Sequence, residues 1–169
     1  MAVYERETVV KAPFDEVWDF HSRASGLVAL TPGWMNLRLE RVVGPDGEPD
    51  PEKLVAGSKL EASVRPFGVG PRQRWISYIV TVREGDGEAL FVDEMTRGAF
   101  PYWEHTHRFE AVPGGTRVTD HVEYRLLGGP LGGAVGPLAW VGFEPMFRYR
   151  HRRTKKLLEQ EFRSQRPND

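Results

Sequence analysis

The stretch FVDEMTRGAFPYWEHTHRFEAVPGGTRVTDHVEY, residues 91–124, decides the fold of this 169-residue chain. Because side chains alternate across a strand, a period of two divides it into three strands with one charged and one mostly apolar face. Two histidines, two aspartates and a tyrosine interrupt the apolar face, which carries Phe91, Asp93, Met95, Trp103, His105, His107, Phe109, Val118, Asp120, Val122 and Tyr124. Buried polar groups cost free energy unless they are paired, so this face predicts a cavity lined by polar groups.

The composition narrows the class of protein. Hydrophobic residues make up 40% and charged residues 28% of the chain, and we expect a single domain over residues 1–169 with a frayed C-terminal end. The net charge of −1 gives no field that would attract nucleic acid, and the lack of cysteine excludes disulfides and thiolate chemistry. Without an apolar run of about 20 residues or a signal peptide, we expect a cytoplasmic protein with no stable membrane insertion.

The residues before this stretch predict one strand, two short helices and three more strands. Pro13 suits the first position of a helix, and Gly26 allows a break before a second helix that ends near Leu30. One apolar stripe of the first helix holds Phe14, Val17, Trp18 and His21, and the strands are predicted at 2–10, 34–43, 57–67 and 72–83. Both faces of the strand at 72–83 are mostly apolar, so the sequence allows either face to be the inner one.

The residues after it predict a glycine-rich connection and a long helix. Residues 128–136 lack the phosphate-loop pattern, so we interpret them as a connection, with a lid over the cavity (residues 128–140) as the alternative. The helix is predicted at 137–162, with Pro145 either starting or kinking it. Its inner stripe is predicted as Phe143, Phe147, Arg150, Thr154, Leu157 and Glu161, and its basic residues, His151 among them, as a solvated outer face.

Together these elements predict an α+β fold. Seven antiparallel strands joined by short turns form one sheet, and two short helices follow the first strand. The apolar face of the sheet must be covered, and the long C-terminal helix is the element large enough to do so. We therefore expect the sheet to curl around that helix, with the cavity between them.

The chain resembles the START / birch-pollen-allergen superfamily of helix-grip proteins, which includes polyketide cyclase/dehydrase-like proteins. The resemblance spans residues 3–160 and rests on the order of elements, with Ala12-Pro13 opening the first helix and Val17-Trp18 within it. A bacterial ligand-binding subgroup, which also occurs beside sugar-epimerase-like domains, is similar in the W-x-H-x-H-x-F motif at residues 103–109. The resemblance implies a carrier or binder of hydrophobic small molecules, and in a minority of such proteins a cyclase or aromatase.

His105 and His107 lie two positions apart on one strand, so both point into the predicted interior. One interpretation places them in a buried hydrogen-bonded network, and a second gives them to ligand recognition. A third makes one of them a general acid or base, oriented by Asp120 or Asp93. A metal site would need a third ligand that the spacing does not fix, so we expect neither a metal nor another cofactor.

Asp93 and Asp120 face the same interior from neighbouring strands. As structural groups they would cap backbone donors or pair with Arg150, the one basic residue on the predicted inner stripe of the helix. Tyr124 and Phe143 are either simple core or the wall of a pocket for a ring-containing ligand.

The sequence predicts that the protein binds or carries a hydrophobic or amphipathic small molecule in an internal cavity. The predicted ligand-binding residues are Asp93, Trp103, His105, His107, Asp120, Tyr124 and Phe143. The alternative is an enzyme of the polyketide cyclase, aromatase or dehydratase type, with His105 or His107 as acid or base and Asp120 as orienting group. A third hypothesis is a regulatory or interaction domain with a vestigial cavity.

Overall fold

The computed structural model describes the backbone of residues 1–125 and 136–165 and the side chains of residues 1–125 and 143–164. In chain order the elements are β1 (Ala2–Val10), α1 (Phe14–His21), α2 (Ala24–Leu30), β2 (Arg38–Val43), β3 (Lys59–Val64), β4 (Gln73–Gly85), β5 (Glu88–Arg97), β6 (Tyr102–Val112), β7 (Gly115–Arg125) and α3 (Gly136–Gln165). Two short 3-10 helices, Gly33–Met35 and Pro66–Gly68, flank β2 and β3. Of the proposed lid, residues 128–135 lie outside the described residues, and 136–140 belong to α3.

The seven strands form one sheet in the order β1-β7-β6-β5-β4-β3-β2, and neighbouring strands are antiparallel. The first strand pairs with the last, from Ala2 opposite Tyr124 to Val10 opposite Thr116. Helices α1 and α2 therefore carry the chain from one edge of the sheet to the other. This is the predicted helix-grip arrangement, with α3 packed on the same face as α1 and α2.

The core consists of three clusters of buried apolar side chains. The first joins α1 to β6, β7 and α3 and includes Val17, Trp18, Phe109, Val118 and Leu158. The second joins β1, β6 and β7 to α3 through Tyr4, Trp103, Val122, Tyr124, Phe143 and Phe147, and the third lies beside α2 with Val42, Leu54, Leu60 and Ile79. Each large apolar side chain that becomes fully buried contributes roughly 1.5–3 kcal/mol, so these clusters hold the helices on the sheet.

Two bulges change which strand residues face the core. A register shift between Leu39 and Arg41 buries Val42, whereas strict alternation from Leu39 would place Val43 inside. In β4, Ser77 and Ile79 face inward, and a second shift beyond Ile79 turns Val82 toward the core. A bulge adds one residue to one strand and so reverses the alternation beyond it. The inner face of β4 thus changes along its length, which explains why both faces are apolar.

The inner stripe of α3 differs from the predicted one. Phe143, Phe147 and Thr154 are buried as expected, but His151 and Leu158 are buried in place of Leu157 and Glu161. A helix with 3.6 residues per turn advances by three or four residues along one face, so the sequence allowed either phase. Pro145 lies inside the helix rather than at its start, and the helix continues past the predicted end at Phe162. His151, predicted on the solvated face, is therefore a buried residue.

Gly26 lies inside α2 and does not mark its start, because the break between the two short helices falls at Ser22 and Arg23. An added Cβ at Gly26 would lie 2.3 Å from the carbonyl oxygen of Phe20. The glycine therefore permits the close approach of α2 to the end of α1. Within the described part of the chain, no helix has the length and apolar character needed to cross a membrane.

Candidate functional site

The candidate site is built by the inner faces of β5, β6 and β7. The strand register places Asp93 opposite His105, and His107 opposite both Phe91 and Asp120. Because the side chains alternate, these groups all point to the same side of the sheet. The period-two pattern of the sequence therefore predicts this group correctly, and the structure adds its distances.

Asp120 is the centre of the polar cluster. Its Oδ1 accepts a hydrogen bond from His105 Nε2 at 2.8 Å and lies 3.0 Å from His107 Nδ1, while its Oδ2 accepts one from His151 Nε2 at 2.6 Å. Burial alone would raise the pKa of this carboxyl, but the three histidines hold it well below its usual range. Asp120 is therefore a buried carboxylate that joins β6, β7 and α3.

Asp93 lies on the other side of the same two histidines. Its Oδ1 accepts a hydrogen bond from the Ser77 hydroxyl at 2.8 Å, and its Oδ2 lies 3.3 Å from His107 Nε2 and 3.6 Å from His105 Nδ1. Burial would raise the pKa of Asp93, but the hydrogen bond from His107 and the electrostatic effect of the two nearby imidazoles lower it overall. The two imidazole rings are thus held between two carboxylates.

The pKa values of the two histidines are shifted in opposite directions. Burial disfavours a charge on His107, but Asp120 and Asp93 outweigh burial and raise its pKa. Burial and the charge of His107 together lower the pKa of His105 to about 4. Their ring centroids are only 3.7 Å apart, so a charge on one ring disfavours a charge on the other. A proton on the pair is therefore favoured on His107, which leaves His105 neutral with Nε2–H toward Asp120 and a lone pair on Nδ1.

A cavity of about 410 Å³ lies beside this cluster. Its wall is mostly apolar, with Leu27, Leu30, Leu54, Leu60, Ile79, Phe91, Met95, Phe100, Trp103, Phe143 and Met146, and its polar end holds Ser77, Asp93, His105, His107 and His21. Trp34, Gln73 and Arg74 line the cavity and are also solvent-exposed, which marks the side where it meets water. The site thus combines an apolar body with a small group of convergent polar atoms, as small-molecule pockets do.

Arg150 is the less exposed of two cavity-wall arginines, the other being Arg74, that have no carboxylate partner among the described residues. Its guanidinium lies 5.8 Å from the centre of the Phe147 ring. Arg23, which also lines the cavity, is paired with Asp19 and Glu52. The expectation that Asp93 or Asp120 pairs with Arg150 is wrong, because both carboxylates bind histidines instead.

The structure brings most of the predicted site residues to the cavity. Trp103 and Phe143 line it together with Asp93 and the two histidines of β6. Asp120 lies behind those histidines and orients them without reaching the wall. Tyr124 is also absent from the wall: its ring packs edge-on against Phe143, with centroids 4.9 Å apart, inside the second apolar cluster.

Two further histidines belong to the site and were missed by the sequence analysis. His151 lies four residues after Phe147, itself four after Phe143, and this spacing was the signal that it shares their face. His21 was placed on the inner stripe of α1, but not at the cavity. Its Nδ1 donates to the carbonyl of Val17 at 2.7 Å, and burial lowers its pKa to about 4.

Solved structures with the same fold include that of norcoclaurine synthase from Thalictrum flavum in complex with dopamine and hydroxybenzaldehyde. It has 23% sequence identity and a TM-score of 0.63, with 93% of this chain and 86% of that chain covered. A protein from Nitrosomonas europaea has 15% identity and a TM-score of 0.66, with 95% and 96% covered. The nucleoside-diphosphate sugar epimerase from Corynebacterium glutamicum has 20% identity and a TM-score of 0.55, and 90% of this chain matches 28% of that chain.

Identities this low establish the fold alone. No curated protein matches the chain. A family model, however, matches residues 1–159, which include every described strand and most of α3. The chain therefore belongs to the family described as polyketide cyclase / dehydrase and lipid transport.

Proposed function

We propose that this protein binds or carries a small amphipathic molecule whose apolar body fills the cavity. The observation that carries the proposal is the cavity of about 410 Å³, with apolar walls and a buried polar end. Small-molecule sites have volumes of roughly 300–1,000 Å³ and the same distribution of apolar and polar groups. The family description, which includes lipid transport, supports a ligand of this kind.

The energetic cost of the polar end supports the same proposal. Two carboxylates and three histidines occupy space between sheet and helix that apolar side chains would fill at lower cost. Such groups are commonly retained where a ligand is recognised or a proton is moved. The third hypothesis holds that the cavity is vestigial. It gives no role to the open volume or to the energetically costly cluster of carboxylates and histidines.

Arg150 indicates the chemistry of the ligand's polar group. A guanidinium on a largely apolar wall, without a carboxylate partner among the described residues, favours a ligand with an anionic group. An aromatic or aliphatic carboxylate, sulfonate or phosphate would place its apolar part along the cavity and its charge beside Arg150.

Two fluorescent probes of nearly the same shape test this proposal. Anilinonaphthalene sulfonate carries an anionic group that phenylnaphthylamine lacks, and we expect both to bind the folded protein with one site per chain. Arg150→Gln should weaken binding of the anionic probe by about tenfold, the effect of losing about 1.4 kcal/mol of binding free energy. Binding of the neutral probe should be unchanged. Arg152→Gln is the matched control, because Arg152 is exposed on the same helix. If neither probe binds to a single site, the proposal is wrong.

An enzyme is the second candidate, and the protonation states of the two histidines favour it. A charged His107 and a neutral His105 with a free lone pair face one cavity, so an acid and a base lie side by side, oriented by Asp120. This pair suits a cyclisation, aromatisation or dehydration in which one proton is removed and another is donated. Native mass spectrometry of the purified protein would identify a retained compound to serve as the test substrate.

With that compound, His107→Gln should lower turnover by a factor of about 10²–10⁴ while binding is retained. His121→Gln is the control, because His121 is partly exposed on β7 and points away from the cluster. If His107→Gln turns over the compound at the native rate, His107 has no catalytic role.

A further inference from the structure

Three donor atoms from β5 and β6 converge on one point at the polar end of the cavity. Asp93 Oδ2 lies 3.3 Å from His107 Nε2 and 3.6 Å from His105 Nδ1. One ligand atom from each of these residues lies within 4.8 Å of the other two. In a tetrahedral site with bonds of about 2.1 Å, neighbouring donor atoms are about 3.4 Å apart. The two separations from Asp93 Oδ2 are close to that value.

We propose that Asp93, His105 and His107 form a binding site for a divalent first-row transition-metal ion such as Zn²⁺. Imidazole nitrogen and carboxylate oxygen are suitable ligands for this class of ion, whereas Mg²⁺ and Ca²⁺ require mainly oxygen ligands. The sequence alone indicated two histidines and gave no third ligand. The β5–β6 register supplies it by placing Asp93 opposite His105.

The groups around the three ligands are arranged as they are in metal sites. The other ring nitrogen of each histidine faces Asp120, with His105 Nε2 donating at 2.8 Å and His107 Nδ1 at 3.0 Å. The free oxygen of Asp93 is held by the Ser77 hydroxyl at 2.8 Å. A carboxylate behind a ligating histidine fixes its tautomer and increases its basicity, and such partners are typical of metal centres.

His105 Nδ1 strengthens the case, because it makes no hydrogen bond among the described residues although His105 is 5% exposed. A hydrogen bond between His107 and Asp93 explains their contact but leaves this nitrogen unused. A metal ion would take the place of the proton on His107 Nε2 and engage all three atoms at once. Its charge would also balance the two buried carboxylates, Asp93 and Asp120, which otherwise lie close together in a poorly solvated site.

Three protein ligands leave a fourth coordination position, and the three residues that supply them line the cavity. That position would be taken by water or by an oxygen of a bound molecule. The site therefore has the character of an open metal centre rather than a closed structural one. The proposal does not rest on the ligand-binding function, since the metal would bind with or without an organic molecule.

Titration of the full chain with Co²⁺, after removal of metals by a chelator, tests the site without any organic ligand. We expect one Co²⁺ per chain, the visible absorption of a four-coordinate ion, and its displacement by Zn²⁺. Asp93→Asn should weaken binding at least tenfold, and Asp120→Asn, which removes the supporting carboxylate, by about 10–100-fold. His121→Gln, the matched control at a partly exposed histidine, should bind as the native protein does.

A folded native protein that binds no Co²⁺ at one per chain overturns the proposal. So does loss of the absorption in His121→Gln with retention in Asp93→Asn, which would mean binding at the surface. If Asp93→Asn does not fold, NMR of the native imidazole nitrogens replaces it. Zn²⁺ must then shift the signals of His105 and His107 and leave that of His121 in place, and the opposite pattern contradicts the proposal.

Discussion

His151 Nε2 donates a hydrogen bond to Asp120 Oδ2 at 2.6 Å, and both side chains are buried. This bond ties α3 to β7 at the level of the polar cluster. It also occupies the carboxylate oxygen that does not contact His105 or His107. The long helix therefore supplies a hydrogen bond to the buried carboxylate of the site, and does not only cover the sheet.

Replacing His151 with Phe keeps a ring of similar size and removes the donor. We expect His151→Phe to lower the free energy of unfolding by about 2–3 kcal/mol, because a buried carboxylate oxygen loses its hydrogen bond. His121→Phe is the control: His121 is partly exposed and bonds to Glu5 at the surface, so its replacement should change stability by only about 0.5 kcal/mol. Urea unfolding measures both, and equal stability of the two variants would contradict this role of His151.

The lowered pKa of His21 predicts that the folded protein loses stability in mild acid. Burial lowers its pKa to about 4, the charges of His107 and Arg150 act in the same direction, and the Val17 hydrogen bond and Asp120 oppose them. The ordinary pKa is 6.5, so between pH 6.5 and about 4 the unfolded chain binds a proton that the folded chain does not. Stability due to this group is therefore fully present above pH 6.5 and falls as the pH falls, by about 3 kcal/mol over the window.

The matched variant for this prediction is His21→Gln, which removes the titrating group. Its free energy of unfolding should depend less steeply on pH between 6.5 and 4, by the equivalent of one proton. Urea unfolding at half-unit steps of pH measures the slope. An unchanged slope in the variant would show that His21 does not titrate differently in the folded and unfolded chains.

The close packing around Gly26 predicts that alanine, which usually stabilises a helix relative to glycine, destabilises the protein at this position. Alanine normally stabilises a helix interior by about 1 kcal/mol relative to glycine. At Gly26, however, the new Cβ would lie 2.3 Å from the Phe20 carbonyl oxygen, a backbone atom that cannot rotate away. Gly26→Ala should destabilise the protein by about 1–3 kcal/mol, as overpacking does.

Gly33→Ala is the control, because a Cβ at that position would meet no atom of any other described residue within 4 Å, apart from its immediate neighbours in the chain. We expect it to be neutral or slightly stabilising in thermal unfolding. A stabilised Gly26→Ala variant would mean that α1 and α2 are packed less closely than the structure shows.

The fold was largely predictable because its signals are local. Alternation along β5, β6 and β7 identifies a shared face without any knowledge of the partners, and it placed Asp93, His105, His107 and Asp120 together. The bulges of β2 and β4 were not predictable in this way. A single inserted residue reverses the faces beyond it, and neither bulge contains a glycine or proline that would mark it in the sequence.

The site was predictable only in part, because its geometry depends on long-range packing. The sequence places His105 and His107 on one face, but only the register shows that Asp93 Oδ2 lies within 3.6 Å of both rings. His151 sits among arginines and lysines, which obscured its phase on α3. The four-residue spacing from Phe143 to Phe147 to His151 indicates that His151 shares the buried face of α3. The hydrogen bond to Asp120 shows what His151 binds there.

The central claim, that a small molecule occupies the space between sheet and helices, is tested most directly by filling that space. Leu27 of α2 lines the cavity, whereas its neighbour Val28 is 48% exposed on the outer side of the same helix. The measurement is the affinity of phenylnaphthylamine for Leu27→Trp and Val28→Trp, with urea unfolding to confirm that both fold. We predict that Leu27→Trp weakens binding by about tenfold or more, the equivalent of 1.4 kcal/mol, and that Val28→Trp binds as the native protein does. Equal affinity of the two folded variants would contradict the claim.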